Sequence, residues 1–378
     1  MFKRYKKNSK GTNVPYADIY TQDEHKIQSS LIDKNAAFVV KRITNNGGEA
    51  YIVGGAVRDM LLGKKPKDFD IATSLTPRQI KKLFYNSRII GKRFQIVHLY
   101  FGTKTIEVTT FRDGSSENSF GVLEQDAKNR DFTINSLYYD CNKDYIIDFN
   151  HAYQDVLKSR MRPLIPLKVS FIQDPVRMIR CLKYSVTTNS KIGFLLSKSI
   201  RKHSPRLETV STSRTSEEMY KIFSSGYSSK IMSLMIEYEL INYLMPHLSI
   251  YLEYDKVKKS LIELDNKVLT LKDADQSVKP QTIIYYLAKE IVTVNENLSS
   301  FEIKKDLLRQ IKVLISPLTP PNVEVEMASI QILKEYGLSY QPKVKTPVAK
   351  AKPASSKLPT RPANRKYNKK SNAKKVSD

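Results

Sequence analysis

The sequence predicts an α+β protein with a strand-bearing first unit, an all-helical second half and a basic tail that has almost nothing to bury. Three observations predict it. From Leu31 to about Asp148, short β-branched runs alternate with helical patterns. After Asp148 the strand signals thin out and apolar residues recur at helical spacing. From Gln341 to Asp378 there are twelve Lys or Arg, one acidic residue and repeated Pro, Ala, Ser and Asn.

The elements follow in order. Residues 1–28 are polar and basic without sustained periodicity and read as a mobile arm. Within 29–150, which is an α/β or α+β unit, strands are expected at Ala50–Val53, Phe69–Thr73, Ile96–Phe101, Ile106–Thr110 and Tyr145–Ile147. Residues 151–248 hold helical patterns over Asp174–Val186, Glu217–Phe223 and Lys230–Tyr243. In 249–337 the helical pattern continues until Ser316, Pro317, Pro320 and Pro321 break it, and Val323–Tyr336 forms a last helix. Residues 338–378 form the tail, disordered on its own.

Composition narrows the partners. The chain has 378 residues, enough for two or three units. Its 63 Lys plus Arg against 38 Asp plus Glu leave a formal charge of +25, which attracts polyanions, nucleic acid first among them. A flexible positive tail tracks a phosphate backbone without sequence preference. Cys141 and Cys181 are too few for a disulfide framework and lack zinc-site spacing, so a reducing cytoplasm is expected. The basic start MFKRYKKNSK is not followed by an apolar run, so neither export nor a membrane span is expected.

The chemistry concentrates in YIVGGAVRDMLLGKKPKDFDIATS, residues 51–74, which reads as strand, glycine turn, helix, loop and strand. Gly54 and Gly55 let the backbone turn sharply and bring N–H groups to a polyphosphate at the helix start, with Arg58 one turn further on. Asp68 and Asp70, spaced i, i+2 on the expected strand, place two carboxylates on one face with Phe69 toward the core. Such a pair suits a divalent cation, and Mg²⁺ held by carboxylates plus substrate phosphates fits it. Capping a neighbouring turn is the other use of an isolated pair of this kind.

Later residues offer further groups. In IEVTTF, alternation sets Glu107 and Thr109 opposite Ile106, Val108 and Thr110, making Glu107 a candidate third carboxylate. Asp131 opens an expected helix and is either its N-cap or that third carboxylate, and Arg130 is a surface charge or a ribose and phosphate contact. In QDPVRMIRCLKYS, Asp174 and Pro175 start a helix on which Asp174, Arg177 and Arg180 share one face. They form an intrahelical salt bridge or present acceptor and donors to a nucleobase edge.

Taken together, GGAVRD, DFDIAT, IEVTTFR, RDFTINSLYY and DPVRMIR, in this order, resemble the class II nucleotidyltransferases, the bacterial poly(A) polymerases and CCA-adding enzymes. The resemblance runs from about Ala50 to Arg180 and more weakly to Leu248. It implies a mixed-sheet nucleotidyltransferase head followed by helical neck and body. It further implies that Gly54, Gly55 and Arg58 hold the triphosphate of ATP and that Asp68 and Asp70 bind two Mg²⁺ ions. Arg130 and Asp131 would handle the ribose, while Asp174 and Arg177 read the base with support from Arg180. Where the family usually has Arg and Glu, this chain has Asn129 and Gln173. RIIGKRFQIVHLYFG and NSFGVLEQDAKNRDFTINSLYYD are similar to the polyadenylating branch, so the expected activity is addition of AMP to RNA 3′ ends, with CCA addition as the alternative. A catalytically weakened RNA-binding protein is a third, more distant reading.

Overall fold

The computed structural model describes residues 1–338 except 8, 92–94, 115–119 and 296. The expected tail lies outside the described residues, as do parts of the two segments that favour the polyadenylating branch.

Nine strands form the head: β1 Phe2–Lys7, β2 Asn13–Thr21, β3 Ala50–Val53, β4 Asp70–Thr73, β5 Ser87–Ile90, β6 Ile96–Phe101, β7 Lys104–Thr110, β8 Tyr138–Asp140 and β9 Tyr145–Asp148. They make one sheet in the order β1-β2-β9-β8-β3-β4-β7-β6-β5. Within it the β4 and β7 pair is parallel and the other pairs are antiparallel, so the sheet is mixed. The central strand β3, AYIV, is buried at all four positions, as a strand covered on both faces must be. Helix α1, Lys34–Asn45, packs on β3 and β4 through Ala36, Val39, Val40 and Ile43. Its start is fixed by the Asp33 carboxylate, which accepts from the Asn35 and Ala36 amides.

The first 28 residues are not a mobile arm. Strands β1 and β2 pair with each other, and β2 adds to β9 with Ile19 opposite Ile147. Ala17 and Ile19 enter a core cluster with Tyr51, Val53, Phe111 and Tyr138, and the Tyr20 ring stacks on Tyr153 at 3.9 Å between centroids. A few apolar residues suffice because the sheet edge they cover is already formed by a strand far along the chain. That long-range pairing leaves no local periodicity to read.

Short helices in the head include α2, Gly55–Leu61, and α3, Leu123–Lys128, and the helical half includes α4, Leu167–Gln173, α5, Val176–Thr187, and α6, Thr212–Phe223. Helices α5 and α6 are joined by a buried ion pair, Lys183 Nζ to Glu218 Oε2 at 2.6 Å. Burial pushes the Glu218 carboxyl up, but the adjacent Lys183 outweighs it and holds the group below the usual range. The expected helix over Lys230–Tyr243 is two, Ser228–Glu237 and Leu240–Leu244, because Glu239 takes a left-handed φ of 61° between them. Helices Asp255–Asp273, Pro280–Ala288, Ser300–Leu314 and Asn322–Glu335 follow, the last close to its expected span.

Candidate active site

The site is assembled where β3 ends and β4 begins, beside the middle of β7. After Val53 the chain turns at Gly54, whose φ of +71° and ψ of −134° lie in a region glycine alone adopts readily, and Gly55 opens α2. A Cβ on Gly54 would stand 3.8 Å from Asp70 Oδ2 and 3.7 Å from Arg130 Nη1. Turn, carboxylate and guanidinium therefore converge on one small volume.

Strand β4 starts at Asp70, one step later than expected, so Asp68 sits in the loop before it. The ladder with β3 ends where Asp70 meets Val53, which leaves Asp68 beyond it. The alternation nonetheless persists, with Asp68 and Asp70 exposed on either side of buried Phe69. Asp70 is in parallel register with Glu107, which places these two carboxylates side by side. Asp70 opens to solvent from the cleft yet is hemmed in by protein elsewhere. Burial, then the charge of Glu107, push its carboxyl up to about 6 against the opposing pull of Arg130.

Arg130 is the most tightly held cation of the site. Its Nε donates to Tyr138 Oη at 3.0 Å and its Nη2 to Asp126 Oδ2 at 3.0 Å, while Tyr138 Oη donates to the same Asp126 oxygen at 2.5 Å. Burial alone would lower its pKa, but Tyr138 and Asp126 reverse that and keep it charged. Arg58 is buried too, donating from Nη1 to Asn135 Oδ1 at 2.8 Å and from Nε and Nη2 to Asp59. A Cβ on Gly55 would lie 3.4 Å from Arg58 Nη2, in ordinary contact, so the guanidinium packs directly against the start of α2.

Asp131 neither caps a long helix nor stands in register with Asp70. Its Oδ1 accepts from the Phe132 amide at 2.8 Å beside a single turn of 3₁₀ helix, Thr133–Asn135. Its Oδ2 forms an ion pair with Arg180 Nη2 at 3.0 Å, in a direction unsuited to a hydrogen bond. The carboxylate beside Asp70 is Glu107.

On α5 the expected face is present but pairs differently. Asp174 precedes the helix and accepts from the Val176 amide at 3.2 Å, acting as its cap. Its carboxylate is held by Arg214 of α6, whose Nη2 donates to both oxygens at 3.1 and 3.0 Å, in place of an intrahelical bridge. Arg177 donates to the Ser170 carbonyl at 3.0 Å, and burial lowers its pKa despite Asp174 nearby. Arg180 donates to Tyr184 Oη at 3.2 Å, and the guanidiniums of Arg58 and Arg180 each stand 5.8 Å from the Tyr184 ring. Tyr184 thus links the glycine-turn side of the head to the neck helix. Asn129 closes α3 with its Nδ2 on the Gln125 carbonyl, and Gln173 is exposed at the end of α4.

Asp126, Asn135, Tyr138, Tyr184 and Arg214 were not singled out from the sequence. Each acts by touching a residue distant in sequence or across an element boundary, and only the density of polar and aromatic residues in NRDFTINSLYYD and RCLKY hints at them.

Among the described residues no group of three or more His, Cys, Asp or Glu closes around a metal position. Asp68 and Asp70 still fit Mg²⁺, which keeps water and takes one or two carboxylates plus substrate phosphates. The repulsion that raises Asp70 is what such a cation relieves.

Residues 50–162 match the poly A polymerase head domain, and residues 195–252 match the probable RNA and SrmB-binding site of polymerase A. In these two regions the chain is similar to the nucleotidyltransferases among the poly(A) polymerases and CCA-adding enzymes. Among its relatives, poly(A) polymerase I of Salmonella typhi is 36% identical over 256 residues, 63% of this chain and 55% of that protein. The CCA-adding enzyme of Leuconostoc citreum (strain KM20) is 34% identical over 219 residues, 56% of this chain and 54% of that protein. The chain spans about half the length of the curated relatives it matches. The solved Bacillus stearothermophilus CCA-adding enzyme in complex with CTP has a TM-score of 0.53 at 23% identity, covering 79% of this chain and 82% of that one, which shows the fold. Among the described residues no helix is long and apolar enough to cross a membrane.

Proposed function

We propose that this protein is a template-independent poly(A) polymerase, transferring AMP from ATP to RNA 3′ ends. The observation that carries the reading is the convergence of Gly54, Asp70, Glu107 and Arg130 at one strand edge. In this reading the Gly54–Gly55 turn and Arg58 hold the triphosphate at the start of α2. Arg130, kept charged by Asp126 and Tyr138, and Asp131 receive the ribose, and Asp174 and Arg177 meet the base edge with Arg180 behind them. Asp68 and Asp70 would hold two Mg²⁺ ions, which supply charge stabilisation to the attacking and leaving oxygens. The RNA 3′-hydroxyl loses its proton, bonds to the α-phosphorus and releases pyrophosphate.

Chain identity to the polyadenylating relatives supports ATP as the sole nucleotide, and the twelve basic residues after Tyr340 suit sequence-blind contact with many RNAs. A second reading, CCA addition to tRNA, is favoured by relatives such as the Leuconostoc citreum enzyme. Both readings place the work in a reducing cytoplasm. Purified protein incubated with unstructured RNA, Mg²⁺ and each nucleotide separately should give long extension with ATP alone. Short, CTP-dependent addition confined to tRNA lacking its end selects the second reading.

A further inference from the structure

We infer that His98 is a positioning residue for the metal site, holding the Glu107 carboxylate toward Asp70 by donation from its Nε2–H. The inference rests on the proposed reading of Asp70 as a cation ligand. Asp70 on β4, Glu107 on β7 and His98 on β6 are consecutive partners across three strands, so their side chains form one row. His98 Nε2 lies 3.4 Å from Glu107 Oε1. That nitrogen is shut off from solvent and makes no hydrogen bond among the described residues. The His98 side chain as a whole is 23% exposed and its ring stands nearly perpendicular to Tyr100 at 6.3 Å.

A buried ring nitrogen 3.4 Å from a carboxylate, in a direction unsuited to a hydrogen bond, is a polar group whose partner must move to satisfy it. A small shift and turn of the Glu107 carboxylate aligns the pair and brings it within the normal N–H···O range of about 2.7 to 3.2 Å. Glu107 has reason to shift, because it stands in register beside Asp70 and the two carboxylates repel. Carboxylates that face a hard cation are themselves oriented by hydrogen bonds from an outer layer of residues, and losing such a bond typically weakens metal binding about 10- to 100-fold. His98 occupies that outer position, one strand beyond Glu107 in the row.

The test uses the full-length protein and Mn²⁺, an oxygen-preferring stand-in for Mg²⁺ that is visible by electron paramagnetic resonance. His98→Phe, which cannot donate, and His98→Asn, which places its amide too short to reach Glu107, should each weaken Mn²⁺ binding about tenfold. His98→Gln, whose amide nitrogen falls near the original Nε2, should restore most of the affinity. In a Glu107→Gln background, His98→Phe should add no further loss. Mn²⁺ affinity unchanged in His98→Phe and His98→Asn, or an equal loss with and without Glu107, overturns the inference. Asp70→Asn in the same titration separates the two failures, since loss of Mn²⁺ binding there keeps the site reading standing whatever His98 does.

Discussion

Asp70 is the residue on which charge, burial and function meet. Its carboxyl is raised from 3.8 to about 6, first by burial and then by Glu107. Between those values the folded protein keeps a proton that the unfolded chain has released, so this group's contribution to stability falls as pH rises through the window and stays absent above it. Metal-free Asp70→Asn should therefore be more stable than the parent at pH 7.5, by on the order of 1 kcal/mol once solvent screening of this cleft-facing group is allowed for. Near pH 4 the two should unfold at the same urea concentration. A parent as stable as the variant at both pH values would remove the argument for strain at this site. Catalysis by Asp70→Asn should drop by several orders of magnitude while RNA binding changes little. If α5 reads the base as proposed, Arg177→Ala should relax nucleotide choice more than it lowers turnover, as measured by misincorporation of CTP and GTP. Asp174, Arg177 and Arg180 were legible from their helical spacing, but Arg214 was not, because its contact with Asp174 spans two helices.

At the scale of elements, the clamp between α5 and α6 and the edge hairpin β1–β2 carry the arguments. Lys183 and Glu218 are both nearly buried, so Glu218→Ala leaves an uncompensated cation in the neck and should cost roughly 3 to 5 kcal/mol, read from the denaturant midpoint. A cost below about 1 kcal/mol would mean that water reaches Lys183 freely. Ile19→Ala removes side-chain volume from the cluster beneath Tyr51 and Tyr138 and should cost about 2 to 4 kcal/mol. In a mobile arm the same change would cost nothing, so this single substitution separates the two descriptions of the N-terminus. The hairpin escaped the sequence because its exposed strand β1, FKRYKK, is polar at nearly every position and its anchor, β9, is distant. Strands β6 and β7 were readable because alternation there reflects burial directly, and β3 because its short apolar run is buried throughout.

For the whole molecule, electrostatics dominate. With a formal charge of +25, RNA affinity should fall steeply with salt. Deleting the residues after Tyr340 should flatten that dependence by about 0.7 in slope for each single-strand phosphate that the tail neutralises in the intact protein. An unchanged slope would assign RNA binding to the head and neck alone. The pair of regions, a sheet-bearing head and a helical half, was visible as a change of periodicity near Asp148. How the two halves touch was not.

The sequence alone determined the ingredients: a glycine turn before a helix, two aspartates flanking one buried phenylalanine, a later glutamate on an alternating strand, and the resemblance these motifs carry. Those are local patterns, set by backbone geometry within a few residues. Tertiary structure alone decided the pairings, giving Glu107 rather than Asp131 to Asp70, Arg180 to Asp131 and Arg214 to Asp174, and turning an unpatterned N-terminus into two strands. The reason is that a side chain's partner depends on strand register and helix packing between segments far apart in the chain, and no local periodicity encodes that distance.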